Sequence, residues 1–107
     1  MSKAFSKLHW HDGNLIDVVF GIDKGGKSSL QITALFYMND EAATRDTYQI
    51  KCEGVSRFNS TLNANELKDN MFAGNIANGY LKDDILWVYF SDGLIEVQAK
   101  RFRLAKC

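Results

Sequence analysis

The chain has 107 residues, 46% hydrophobic and 24% charged, the size and balance of one globular domain and far from the composition of disordered chains. Thirteen basic residues offset thirteen acidic ones, so no overall field draws in nucleic acid or an anionic surface. The first fifteen residues, MSKAFSKLHWHDGNL, lack the unbroken apolar stretch of a secretory signal, and no run of about 18 apolar residues is present to span a bilayer, so a cytoplasmic protein without membrane contact is expected.

His9, His11 and Asp12 are the first chemically suggestive group. A His-x-His pair on a strand projects both rings to one side, and with a carboxylate it supplies metal-type donors for a small-ligand or metal site. The chain has no third histidine and no Cys-x-x-Cys to complete such a site, and no cofactor is expected. The structural alternative is a turn at Asp12-Gly13 leading into the first strand, with one histidine packed under the sheet.

Strict alternation through LIDVVFGI and SLQITALFYM predicts two strands. A connection at Gly25-Gly26-Lys27 sets Ile22 opposite Leu30, Phe20 opposite Ile32, Val18 opposite Ala34 and Ile16 opposite Phe36, with all of these on one face. The segment from Gly21 to Ser28 also fits the pattern G-x-x-x-x-G-K-S. Phosphate binding there requires a helix directly after Lys27-Ser28, and the β-branched, aromatic strand that follows argues against it.

The polar stretch from Met38 to Asp46 reads as a surface loop, with Asp40, Glu41 and Arg45 as candidate partner contacts. A third strand carries Tyr48, Ile50 and Cys52 inward, and the change of phase after Gly54 predicts a bulge. Asn63 as cap, Glu66 at the third helical position and the Leu62/Leu67 pair predict a short helix over about 64–72, stopped at Gly74. The C-terminal third reads as hairpins turning at Asp83-Asp84 and at Asp92-Gly93, the latter setting Phe90 opposite Ile95, Val88 opposite Val97 and Leu86 opposite Ala99. That register places Trp87 and Tyr89 across from Gln98 and Glu96, with Tyr80 beside Trp87. These three aromatics lie on the face opposite the aliphatic core, where they are either covered by the helix or open to a partner.

Catalytic patterns are lacking. No G-x-S-x-G elbow occurs, Cys52 has no histidine near it in sequence, and the adjacent Asp83 and Asp84 point apart and read as a turn. Cys52 and Cys107 are expected to be free thiols. The basic tail, with Lys100, Arg101 and Arg103 around Phe102, would suit an RNA-binding accessory domain, but without a basic excess elsewhere nucleic acid is not expected, and a charge-protected edge strand is the simpler reading.

The HDGNL segment at 11–15, the antiparallel pattern that follows, the NMFAGNIANGYL stretch and the closing Asp92-Gly93 turn together resemble small bacterial β-rich domains that include toxin-immunity proteins. Such proteins bind a cognate toxin and block it, so the resemblance implies an inhibitor rather than an enzyme. The neutral charge balance departs from the acidic face of nuclease-directed immunity proteins and points away from a nuclease target. The sequence therefore predicts one α+β domain over 1–107, mostly antiparallel β, with about six strands in a meander-like sheet or half-barrel and one short helix. Its expected role is non-catalytic protein binding or self-association through Tyr80, Trp87 and Tyr89.

Overall fold

In a computed structural model of the chain, residues 2–37, 44–71 and 74–107 are described, and Asp40, Glu41, Phe72 and the other residues of 38–43 lie outside them. Helix α1 (Ser2–Lys7) precedes β1 (His9–Ile22), β2 (Ser28–Tyr37) and β3 (Arg45–Leu62). Helix α2 (Ala64–Asp69), β4 (Ile76–Lys82), β5 (Ile85–Phe90) and β6 (Gly93–Lys106) follow. All pairings are antiparallel, and the sheet closes into a barrel in the order β1-β2-β3-β6-β5-β4. The mostly antiparallel α+β class and the six strands are as expected. The order is not that of a plain meander, because β6 returns to lie along β3, and a second short helix, α1, stands at the N-terminus.

The period-two residues explain the core. Leu30, Ile32, Ala34 and Phe36 of β2, Ile50 and Cys52 of β3, Leu86 and Val88 of β5, and Ile95 and Val97 of β6 all face the interior and are buried. Both strands of the β3·β6 pair are too long to stay straight in a closed barrel. At Gly54, φ is +67° and the register against β6 shifts between Val55 and Arg57, which is the predicted bulge. The first half of β3 pairs with β2, whereas the second half continues beyond it beside β6 alone.

Two hairpin registers differ from expectation by two residues. Phe20 lies opposite Leu30 and Val18 opposite Ile32, because the first turn closes on Asp23 and Lys27. The Asp23 carboxylate accepts from the Gly25 and Lys27 N–H groups, both at 2.9 Å, and Gly26 takes a φ of +81°. Val88 likewise lies opposite Ile95 and Leu86 opposite Val97, so the last turn is Ser91-Asp92 and Gly93 is already paired with Phe90. A slip of two keeps the inward faces of β2, β5 and β6 as expected. The end of β1 departs from expectation: its register shifts between Leu15 and Asp17, so Ile16 does not meet Phe36, and Ile16, Phe20 and Ile22 are exposed rather than in the core because pairing with β4 stops at Gly13.

The barrel is shut at one place. Gly13 pairs with Ile76 between β1 and β4, and buried Asn75 holds the seam. Its Oδ1 accepts from the Leu15 N–H (3.1 Å), its Nδ2 donates to the Leu67 carbonyl (3.2 Å) and its own N–H donates to the Gly13 carbonyl (2.9 Å). Asn14 adds a bond from its Nδ2 to the Met71 carbonyl. Phe5 of α1 is buried, and the Trp10 indole N–H donates to its carbonyl (3.1 Å). Helix α2 is capped by Asn63 as predicted, but it ends at Asp69 with Asn70 as its cap, earlier than expected.

Candidate functional site

The alternation along β4, β5 and β6 sends Tyr80, Trp87 and Tyr89 to the outer face, and the strand registers align them in rows across the sheet. Tyr80 lies opposite Trp87, Trp87 opposite Glu96 and Glu96 opposite Asn59. The neighbouring row runs Asn78, Tyr89, Leu94, Thr61, so Trp87 and Tyr89 face Glu96 and Leu94 rather than Gln98 and Glu96 as the expected register had it.

The rings form one ladder. Tyr80 sits 4.8 Å from Trp87 and 6.1 Å from Tyr89 between centroids, tilted by 31° and 25°. The Trp87 indole N–H donates to Glu96 Oε2 (2.9 Å), and Glu96 Oε1 accepts from Asn59 Nδ2 (3.2 Å), which fixes the carboxylate on the platform. The Tyr89 hydroxyl is raised above its ordinary value, first by a side-chain hydrogen bond with Tyr80, then by desolvation and by the Tyr80 and Glu96 charges, so it stays neutral at physiological pH. Tyr80 remains 43% exposed. Among the described residues no hydrogen bond or ring contact joins helix α2 to the ladder; its Leu67 packs against the core and its Asn63 cap donates to Asp92 (2.9 Å).

The other candidates fall elsewhere. Arg45 opens β3 instead of lying in the loop expected up to Asp46; its guanidinium stacks over the Tyr37 ring at 4.9 Å and its Nε donates to the Asp12 carbonyl of β1 (2.9 Å), so it ties β3 to β1 and does not join the ladder. Asp40 and Glu41 lie outside the described residues. At Asp12 the φ of +66° breaks the regular alternation expected for His9 and His11. His11 Nδ1 lies 3.1 Å from Asp12 Oδ2, while His9 meets the Tyr37 ring edge-on at 6.4 Å. Among the described residues no group of three or more His, Cys, Asp or Glu side chains is arranged to hold a metal ion.

Phe102 is 3% exposed and faces the interior, so it has no ring to offer a base, and Arg103 is engaged by Glu53 at 3.0 Å. The G-x-x-x-x-G-K-S segment runs from the end of β1 through the turn to Ser28 at the start of β2. It borders an open cleft of roughly 600 Å³ with Glu53, Gly54 and Lys100, in which both signs of charge are mixed and the Ser28 hydroxyl is spent on the Val55 carbonyl (2.6 Å).

Both cysteines are free, Cys52 buried and Cys107 exposed. Burial pushes the Cys52 thiol up to about 12, which disqualifies it as a nucleophile near neutral pH. A disulfide reagent at pH 7 is expected to titrate a single thiol in the folded protein and both after denaturation; rapid reaction of both in the native state would contradict the closed core.

What the sequence missed here is the part played by Glu96 and Asn59. The alternation of charged and apolar residues in LIEVQA marks Glu96 as outward, but only the correct register brings it under Trp87. No protein-family model matches this chain, and no curated protein and no solved structure resembles it closely enough to count as a relative.

Proposed function

We propose that this domain is a non-catalytic binding module that takes a protein partner on the outer face of β4, β5 and β6. The observation that carries this reading is the ordered ladder of Tyr80, Trp87 and Tyr89 with its carboxylate already bonded to Trp87. Large rings held in place before binding lose little conformational freedom on contact, and Tyr and Trp dominate the energetics of protein interfaces. The flanking Lys82, Arg57 and Asn78 supply a polar rim. The resemblance to toxin-immunity domains supports a finer version, in which the partner is a toxin and binding inhibits it.

The test is a Trp87→Ser, Tyr89→Ser variant. Because these rings stand on the outer face, the variant is expected to remain folded and to lose about 1–2 kcal/mol from cross-strand pairs. It should also fail to retain the stoichiometric partner that the wild-type protein captures from its native source. A folded variant that retains that partner with unchanged affinity would overturn the assignment of the face.

A further inference from the structure

The second half of β1 is an unpaired edge. From Asp17 to Ile22 it is bonded to β2 on one side, and among the described residues no strand pairs with the other, because the ladder with β4 is confined to Gly13 and Ile76. The turn fixes which backbone groups are free. Asp23 donates to the Lys27 carbonyl (2.9 Å), so by strict alternation Gly21, Val19 and Asp17 exchange bonds with β2, and the N–H and C=O groups of Val18, Phe20 and Ile22 point away from it. This edge is also apolar on both faces, with Ile16 50%, Val19 57%, Phe20 47% and Ile22 66% exposed. Strands of this kind are usually blunted by lysine, proline or a cover, and between Ile16 and Ile22 neither residue occurs.

We infer that this edge pairs with the same edge of a second copy of the chain, antiparallel, about a twofold axis through Val19. Side chains must stay on matching faces, so only registers that pair residues of the same parity are open. Centring on Phe20 sets Asp17 against Asp23 of the second copy, a like-charge pair, and centring on Val18 sets Asp17 against Val19. Centring on Val19 sets Asp17 against Gly21, Val18 against Phe20 and Ile16 against Ile22, with Val19 meeting itself on the axis. In that register Val18 and Phe20 of the two copies exchange the backbone bonds that β2 leaves free. The sequence IDVVFGI is thus self-complementary in both polarity and hydrogen bonding, and it merges two barrels into one continuous sheet.

Sedimentation of the wild-type protein from about 1 µM to about 1 mM, the range of weak to moderate association, is expected to show a monomer–dimer equilibrium. Val19→Lys places two cations face to face at the axis and is expected to give a monomer with an unchanged far-UV spectrum. A Val19→Cys, Cys107→Ser variant is expected to form a covalent dimer under mild oxidation, because a non-hydrogen-bonded pair brings its Cβ atoms within disulfide reach. The same substitution at Gly21, which faces Asp17 in this register, is expected to give far less. A wild-type protein that stays monomeric throughout overturns the proposal, and so does cross-linking that is no better at Val19 than at Gly21. The Trp87→Ser, Tyr89→Ser variant should dimerise normally, which separates this interface from the aromatic face.

Discussion

Asn75→Ala is expected to cost about 2–5 kcal/mol of folding stability, because it leaves the Leu15 N–H and the Leu67 carbonyl without their partners at roughly 1–3 kcal/mol each. The residue is 2% exposed, so water does not easily replace the lost amide. Its backbone bonds to Gly13 and from Ser91 survive in the alanine variant, and the loss therefore isolates the side chain. Urea unfolding followed by far-UV circular dichroism measures it directly. Asn75→Asp supplies a second reading. Its Oδ1 still accepts from Leu15, but the second carboxylate oxygen faces the Leu67 carbonyl, so burial and repulsion raise the folded-state pKa of the new group above its unfolded value of about 4. A raised pKa means that the penalty is present at pH 7 and shrinks as pH falls through the folded-state value. The aspartate variant is expected to gain stability relative to wild type on acidification; a loss below about 1 kcal/mol for Asn75→Ala would mean that the seam is held by something else.

That seam also shows where the sequence stops being informative. Faces were legible from alternation alone: Leu30, Ile32, Phe36, Val88 and Ile95 face inward, and Tyr80, Trp87 and Tyr89 outward, as their spacing requires. Cross-strand partners were less so, because a two-residue slip costs nothing in polarity and is decided by turn chemistry, here the Asp23 carboxylate and the positive φ of Gly26. Closure was not legible at all. It depends on Asn75 and Gly13, which are 62 positions apart and show no apolar pattern, so nothing in the periodicity distinguishes a closed barrel from an open sheet. Helix α1 was missed for a related reason. Six residues are too few to display a helical period, and its anchor is tertiary, Phe5 buried beneath Trp10. At the aromatic face the ring residues were readable and the platform under them was not, since Glu96 meets Trp87 only in the observed register.

Gly79→Ala is expected to destabilise the protein by about 2–4 kcal/mol, although it adds a single methyl group to a strand. Gly79 lies against the face of Trp10, and a Cβ there would sit 2.5 Å from Cδ2 and Cε3 and 2.7 Å from Cζ3 of the indole. The ring has little room to yield. Its N–H is bonded to the Phe5 carbonyl, its edge packs on Phe36 at 5.3 Å and 80°, and the residue is 6% exposed. Relief requires moving the indole, which loosens α1 and the Phe36 contact together, so the cost combines overpacking with a weakened buried hydrogen bond. Gly21→Ala is the control: nothing lies within 4 Å of its added Cβ, and its effect should stay within about 0.5 kcal/mol. The mechanism itself is tested by Trp10→Phe, which removes the benzo ring that carries the closest atoms. Trp10→Phe destabilises by itself, but the double variant with Gly79→Ala is expected to be more stable than the two separate losses add up to, by about 1 kcal/mol or more. Strict additivity would mean that Trp10 and Gly79 are not in contact in solution, and that the N-terminal helix is held to the barrel in another way.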